Sequence, residues 1–362
     1  MLLSLCRARS GLVSSRWLAT LQSKMEGFCV GLFKGENEKS IDENQLTAAA
    51  KEINDKTNGK LLEQLKCANP PKLGEYRLLL GLKPYELLAV VGLGKKGAGV
   101  DESEGWHEGK ENARKAAGAA VTALRSAGAT TVNFDPMGHP DAVAEGATLN
   151  SFAYDELKSK EDSRTPNVAI QLINADDDSV ASEKFKEGQI LAMGQNLARK
   201  LKEMPANLLY PEKFAEIAAE KLAQFENVTV IAHDKEWAEN EKMYSFLSVN
   251  RGSFKNPVFL EIRWRSSAPA DAPPIVMVGK GVCFDSGGIS LKPSANMDKM
   301  RADMGGAAVV FSTLYTARSL VEELSCDVVV LIPLVENMPA NQATHPGDIV
   351  VARNGKSIKV IV

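Results

Sequence analysis

Histidine is scarce in this chain. Only His107, His139, His233 and His345 occur among 362 residues, and no HExxH or similar spacing links them. A histidine-based zinc site is therefore not expected. Cysteine is also sparse. Cys6, Cys29, Cys67, Cys283 and Cys326 are odd in number, scattered and without a CxxC pair. That usage points to a reducing compartment rather than a disulfide scaffold. No apolar run approaches the roughly 20 residues of a membrane span. No charge of one sign dominates: 43 Lys and Arg stand against 46 Asp and Glu, a net charge of −3. With aromatics at 6% and no aromatic-basic patch, neither nucleic acid nor a membrane is an expected partner.

What is present is the composition of a globular protein, 44% hydrophobic and 25% charged, long enough for two domains. The first 25 residues stand apart. Arg7, Arg9, Arg16 and Lys24 lie among Ser and Leu, and no acid occurs before Glu26. This fits a mitochondrial transit peptide over residues 1–27, with a cytoplasmic location as the alternative. Beyond it, apolar runs bounded by glycine alternate with helical patterns. Leu87 to Gly94, Thr130 to Phe134 and Asn167 to Ile173 read as strands, and 109–127 and 140–158 as helices. The expected organisation is an N-terminal α/β domain over 28–181, a connecting helix over 182–205 and a catalytic α/β domain over 206–362 with a central, mostly parallel sheet. Gly92-Leu93-Gly94-Lys95-Lys96-Gly97 matches GxGxxG, but further glycines suggest a loop running to about residue 108, so a dinucleotide fingerprint is not expected. Cys326 to Pro333 is apolar throughout, as the centre of a parallel sheet would be.

The stretch from Val278 to Gly306 holds the chemistry. Lys280 and Asp285 follow the apolar run Ile275 to Val278 at the carboxyl end of an expected strand, where open α/β sheets carry their sites. Gly287 and Gly288 follow, then Lys292, Met300 and Asp303, and the turn Gly305-Gly306 opens a helix. Three readings fit these residue types. One is a structural Lys–Asp ion pair. Another is an anion site using glycines with Lys280 and Lys292. The third is a carboxylate metal site on Asp285 and Asp303, to which a lysine could add only when neutral. Cys283, inside the segment and without a nearby His, reads as a small buried residue rather than a nucleophile.

The segment resembles the leucyl aminopeptidase (cytosol aminopeptidase) family of metallopeptidases. Further similar blocks are Gly194-Gln195-Asn196-Leu197-Ala198-Arg199, Pro205-Ala206-Asn207, Glu336-Asn337-Met338-Pro339 and Asn354-Gly355-Lys356. The resemblance implies two divalent ions per subunit, Zn²⁺ or Mn²⁺, with Lys280 and Asp303 as ligands of one and Asp285 shared between both. It implies Lys292 as the catalytic lysine that polarises the scissile carbonyl, and Met300 as a wall of the pocket for the substrate's first side chain. Lys280, Asp285, Lys292, Met300 and Asp303 together would contact a peptide substrate with a Leu-like first residue. A homo-hexamer is also implied. A non-catalytic structural or regulatory subunit of such a hexamer is the alternative.

Members of that family continue into an Asn-Thr-Asp-Ala-Glu-Gly-Arg motif that completes both metal sites. Here the residues after Asn354-Gly355-Lys356 end Lys359-Val360-Ile361-Val362. The resemblance thus reads as C-terminally truncated, with full metal occupancy not expected, and uncovered strand edges favour aggregation. The expected outcome for purified 1–362 with added Mn²⁺ or Zn²⁺ is little or no hydrolysis of Leu-p-nitroanilide. A rate near that of a full-length relative would refute it.

Overall fold

A computed structural model of the chain describes residues 25–35, 40–269 and 271–361. The transit-peptide reading falls almost wholly on residues 1–24, outside the described ones. In chain order the first half contains β1 (Glu26–Leu32), α1 (Ala48–Lys56), α2 (Lys60–Lys66), β2 (Tyr76–Leu82) and β3 (Tyr85–Gly92). Then come β4 (Val100–Asp101), β5 (Trp106–His107), α3 (Glu108–Ser126), β6 (Thr131–Phe134), α4 (Pro140–Ser151), β7 (Ala169–Leu172) and the long α5 (Ser179–Glu203). The second half has α6 (Pro211–Leu222), β8 (Val228–His233), α7 (Lys235–Asn240), α8 (Tyr244–Asn250), β9 (Val258–Trp264) and β10 (Ile275–Val278). It closes with β11 (Gly281–Asp285), α9 (Gly305–Leu320), β12 (Val328–Asn337), β13 (Ile349–Val351) and β14 (Ser357–Lys359). No helix among the described residues is long and apolar enough to cross a membrane.

The first sheet has the order β2-β3-β1-β6-β7 and is parallel except for the β2–β3 hairpin. β1 and β3 are buried on both faces because helices cover both sides. Cys29, Ala89 and Val91 face α3 and α4, whereas Val30, Leu88 and Val90 face α1 and α2. The GxGxxG segment leaves β3 as a loop, and helix begins only at Glu108. α4 ends at Ser151, seven residues short of the expected end at 158. There Phe152 turns extended, and the Arg199 guanidinium sits 4.4 Å over its ring, so a contact with α5 stops the helix.

Chain reversal at the end of β1 rests on one carboxylate. Asp135, 2% exposed, accepts hydrogen bonds from Gly31 N at 3.0 Å, from Met137 N at 2.8 Å and from the Thr47 hydroxyl. Thr47 is also the N-cap of α1. Burial pushes the Asp135 carboxyl up, opposed by these three donors.

The second sheet runs β10-β12-β9-β8, with β11 also paired to β12. β12 is central, as its apolar sequence suggested. It is parallel to β10 and β11 but antiparallel to β9. Val328, Val330, Ile332 and Leu334 of β12 pack with α6 and α9 on one face, whereas Val329, Leu331 and Pro333 on the other are only half-buried, and the apolar run does not report the direction of each neighbour. Helix α5 packs closely on α9: a Cβ at Gly194 would lie 1.8 Å from Thr316 Oγ1.

Two outcomes follow from the first half. Asp135→Ala strands two buried backbone N–H groups and is expected to cost about 2–4 kcal/mol in a denaturant melt, with Asp135→Asn milder. The second concerns His107 and His139, whose rings stand 4.8 Å apart. Burial chiefly, then His107, Lys110 and Lys184, hold the His139 pKa below its ordinary value, against an opposite pull from Asp141. Neutral His139 therefore adds stability above the unfolded value of about 6.5, and this is lost as pH falls through the lower folded value. Thermal melts at pH 7 and pH 5 are expected to show a steeper loss for the wild type than for His139→Gln.

Candidate active site

The second sheet breaks where the chemistry lies. β10 ends at Val278, Gly279-Lys280 steps out, and β11 resumes pairing with β12 and closes on Asp285. Gly279 permits the step. A Cβ there would meet Gly306 O at 2.7 Å and Ala307 Cα at 2.8 Å, both backbone atoms of α9. Ala307 N donates to Lys280 O at 2.9 Å, so the start of α9 is bonded directly to the break. Asp303, just before α9, is thereby drawn to the same end of the sheet.

Two ion pairs form there. Lys280 Nζ stands 2.9 Å from Asp303 Oδ2. Lys292 Nζ pairs with Asp285 Oδ2 and lies 3.5 Å from Met300 Sδ. The five residues singled out in the sequence thus join as one pair and one triplet. Asp285 is the more firmly held acid. Its Oδ1 accepts from Gly287 N at 3.0 Å and from Asn337 Nδ2 at 2.8 Å. Gly287 has φ +91°, a conformation that glycine adopts at no steric cost. Burial raises the Asp285 pKa, but Lys292, the Gly287 amide and Asn337 outweigh it and hold the carboxyl below its ordinary value.

Asp303 differs. Its Oδ2 is closed to solvent and accepts no hydrogen bond among the described residues. Lys280 is close enough for charge attraction but off the hydrogen-bonding angle, and its side chain is 62% exposed. A buried anionic oxygen without a hydrogen bond is an unusual cost. A divalent cation would satisfy it, and carboxylate oxygens are its proper donors. The donor set therefore fits a metal at Asp303, with Lys280 beside it. Among the described residues no group of three or more His, Cys, Asp and Glu side chains stands together as a metal cage.

Two positioning residues escaped the sequence reading. Asn337 lies at the end of β12, opposite Asp285 in the parallel register. Arg301 holds the 3-10 turn Met297–Ala302 to the last turn of α5, with Nη2 2.5 Å from Glu203 Oε2 and Nε donating to Glu203 O at 3.2 Å. Asn337 stood in a block already noted for its resemblance, a usable signal. Glu203 is 98 residues from Arg301, and nothing in the sequence joins them. Cys283 is 1% exposed and burial pushes its thiol far up, as suits a packing residue.

Residues 29–161 match the N-terminal domain of the cytosol aminopeptidase family, and residues 196–361 match its catalytic domain. The cytosol aminopeptidase of Bos taurus is 47% identical over 338 residues, covering 92% of this chain and 63% of that protein. The Homo sapiens cytosol aminopeptidase is 44% identical over 349 residues, covering 96% and 65%. The chain therefore spans just under two thirds of the length of these relatives. Among solved structures, the bottromycin maturation enzyme BotP in complex with Mn superposes with a TM-score of 0.70 at 26% identity, over 93% of this chain and 65% of that one. With both domains matched in order and the Lys280–Asp303 segment inside the second, the chain belongs to the cytosol aminopeptidase family.

Proposed function

We propose that this chain carries the first part of the active site of a metal-dependent aminopeptidase that releases N-terminal, Leu-like residues from peptides. The observation that carries the reading is Asp303 Oδ2, an anionic oxygen closed to solvent and without a hydrogen bond among the described residues, set beside Lys280 at the carboxyl end of the parallel strands. Lys280, Asp285 and Asp303 would hold the metal, either Zn²⁺ or Mn²⁺ and two ions per subunit by family membership. Bound divalent ions supply an activated water and a Lewis-acid clamp on the scissile carbonyl and the free amine.

The chain's own residues do the rest. Backbone and amide donors from Gly287 and Asn337 fix Asp285 through Oδ1 and leave Oδ2 facing the site. Lys292 carries a positive charge to the position where the carbonyl oxygen gains negative charge, which favours the tetrahedral state over the planar one. Met300, in contact with Lys292 Nζ, forms an apolar wall for the first side chain. Arg301, through Glu203, keeps that wall in place. By the same family membership the assembly is a homo-hexamer, and the basic, acid-free residues 1–25 support mitochondrial import.

A second reading is a non-catalytic subunit of such a hexamer. One observation favours it: each acid already has a lysine partner within the chain, so the described residues balance their own charge without a metal. Metal retention separates the two. Purified 1–362, loaded with Mn²⁺ or Zn²⁺ and dialysed, is expected to keep metal by elemental analysis. Asp285→Ala and Asp303→Asn are expected to lose it. Equal metal content in wild type and both variants, or none in any, would count against the enzyme reading.

A further inference from the structure

A cavity of about 1020 Å³ lies at the same end of the second sheet as the Lys280–Asp303 pair, across β12 from it. On one side of β12, Asn337 stands opposite Asp285. On the other, Leu334 stands opposite Val258, the first residue of β9. The cavity is walled by the segment 250–257 that leads into β9, by residues 341–345 after β12 and by β13. The wall and the site share a strand end. Ser253 Oγ donates to Glu336 Oε2 at 2.7 Å, and Glu336 N donates to Asn250 Oδ1 at 3.1 Å. Asn337, which holds Asp285, is the next residue.

The cavity lining holds Lys235, Arg251 and Lys255 against one acid, Glu239. Lys235 is paired with Glu239 at 3.6 Å. Arg251 and Lys255 have no ion-pair or hydrogen-bond partner for their charged heads among the described residues. Arg251 acts electrostatically on Asp348, which also accepts a hydrogen bond from His345 N at 2.9 Å. Lys255 Nζ lies 3.7 Å over the Tyr210 ring and 5.2 Å from that of Phe254. Phe254 is 89% exposed at the rim. The side-chain amides of Asn341 and Gln342 on the facing wall also make no hydrogen bond within the described residues. Two cations without an ion pair, an exposed aromatic ring and two side-chain amides without a hydrogen bond among the described residues surround one space and match an anionic ligand that also has apolar and amide groups.

We propose that this cavity binds the carboxylate-bearing downstream part of a peptide. Arg251 and Lys255 take the carboxylate, Phe254 covers an apolar side chain, and Asn341 and Gln342 meet backbone amides. The choice of a peptide rests on the aminopeptidase reading; the preference for an anion rests on the cavity alone.

The probe is acetyl-Leu-Gly-Gly as the free acid and as the C-terminal amide, titrated calorimetrically into purified 1–362. Acetylation removes the free amine, so binding does not depend on the metal ligands. The free acid is expected to bind about fivefold tighter than the amide. In Arg251→Gln/Lys255→Gln, with Arg251 exposed and Lys255 half-buried and the fold checked by circular dichroism, the preference is expected to shrink below about twofold. Asp303→Asn is expected to leave it intact, which keeps this test independent of metal retention. Equal binding of acid and amide, no binding of either, or a preference that survives the double substitution would overturn the proposal. So would inorganic phosphate displacing the free acid at lower concentration than the peptide itself, because the ligand would then be a phosphate.

Discussion

Gly279 has no side chain, and the approach of the second sheet to α9 depends on that. Two backbones meet where a Cβ would strike Gly306 O and Ala307 Cα. Backbone atoms cannot swing aside as a flexible side chain can, so any larger residue must push the helix away. The consequence reaches the chemistry directly. The hydrogen bond from Ala307 N to Lys280 O ties the helix start to the strand break. Lys280 belongs to that break and Asp303 to the turn that feeds the helix. Their convergence is thus fixed by main chain, not by the attraction between their charges. The other end of the constraint is α5, pressed on α9 where Gly194 faces Thr316. Arg301 adds a second tie from the same turn to Glu203. The long helix between the two sheets therefore braces the turn that carries Met300 and Asp303.

Much of this was legible in the sequence because the signals were local. An apolar run, a lysine, a glycine step and an aspartate within eleven residues describe a strand end and its turn. The Gly305-Gly306 turn before an apolar helix gave the return to the same edge. The first sheet was legible for the same reason, since each buried strand is bounded by glycine or polar turn residues. What stayed hidden was non-local. The direction of β9 is invisible in β12, because an apolar run reports burial and not which way its neighbour runs. The end of α4 is set by Arg199 packing over Phe152, a contact from another helix. The Arg301–Glu203 tie joins residues whose local sequences are those of any charged helix surface. Asn337 could be noted but not assigned, because its role exists only once β12 lies beside β11.

The two acids of the site are not equivalent, and the difference has one cause. Asp285 has donors on both oxygens: Gly287 N and Asn337 on Oδ1, Lys292 on Oδ2. Two of these three come from groups that the fold holds rigidly, so removing the Lys292 contact would leave the carboxylate where it is. Asp303 has a closed oxygen and, among the described residues, an exposed, poorly aligned lysine for a partner. At Asp285 the lysine is not what holds the acid in place. That is the arrangement expected if lysine and cation exchange at one anionic position: Asp285 stays held by Gly287 N and the Asn337 amide while its positive partner changes. If the lysines were purely structural, the opposite would be expected. Each would be buried, well aligned and necessary to keep its aspartate oriented. The exposure of Lys280 and the separate anchoring of Asp285 both run against that, and both support the metal reading over a structural ion pair.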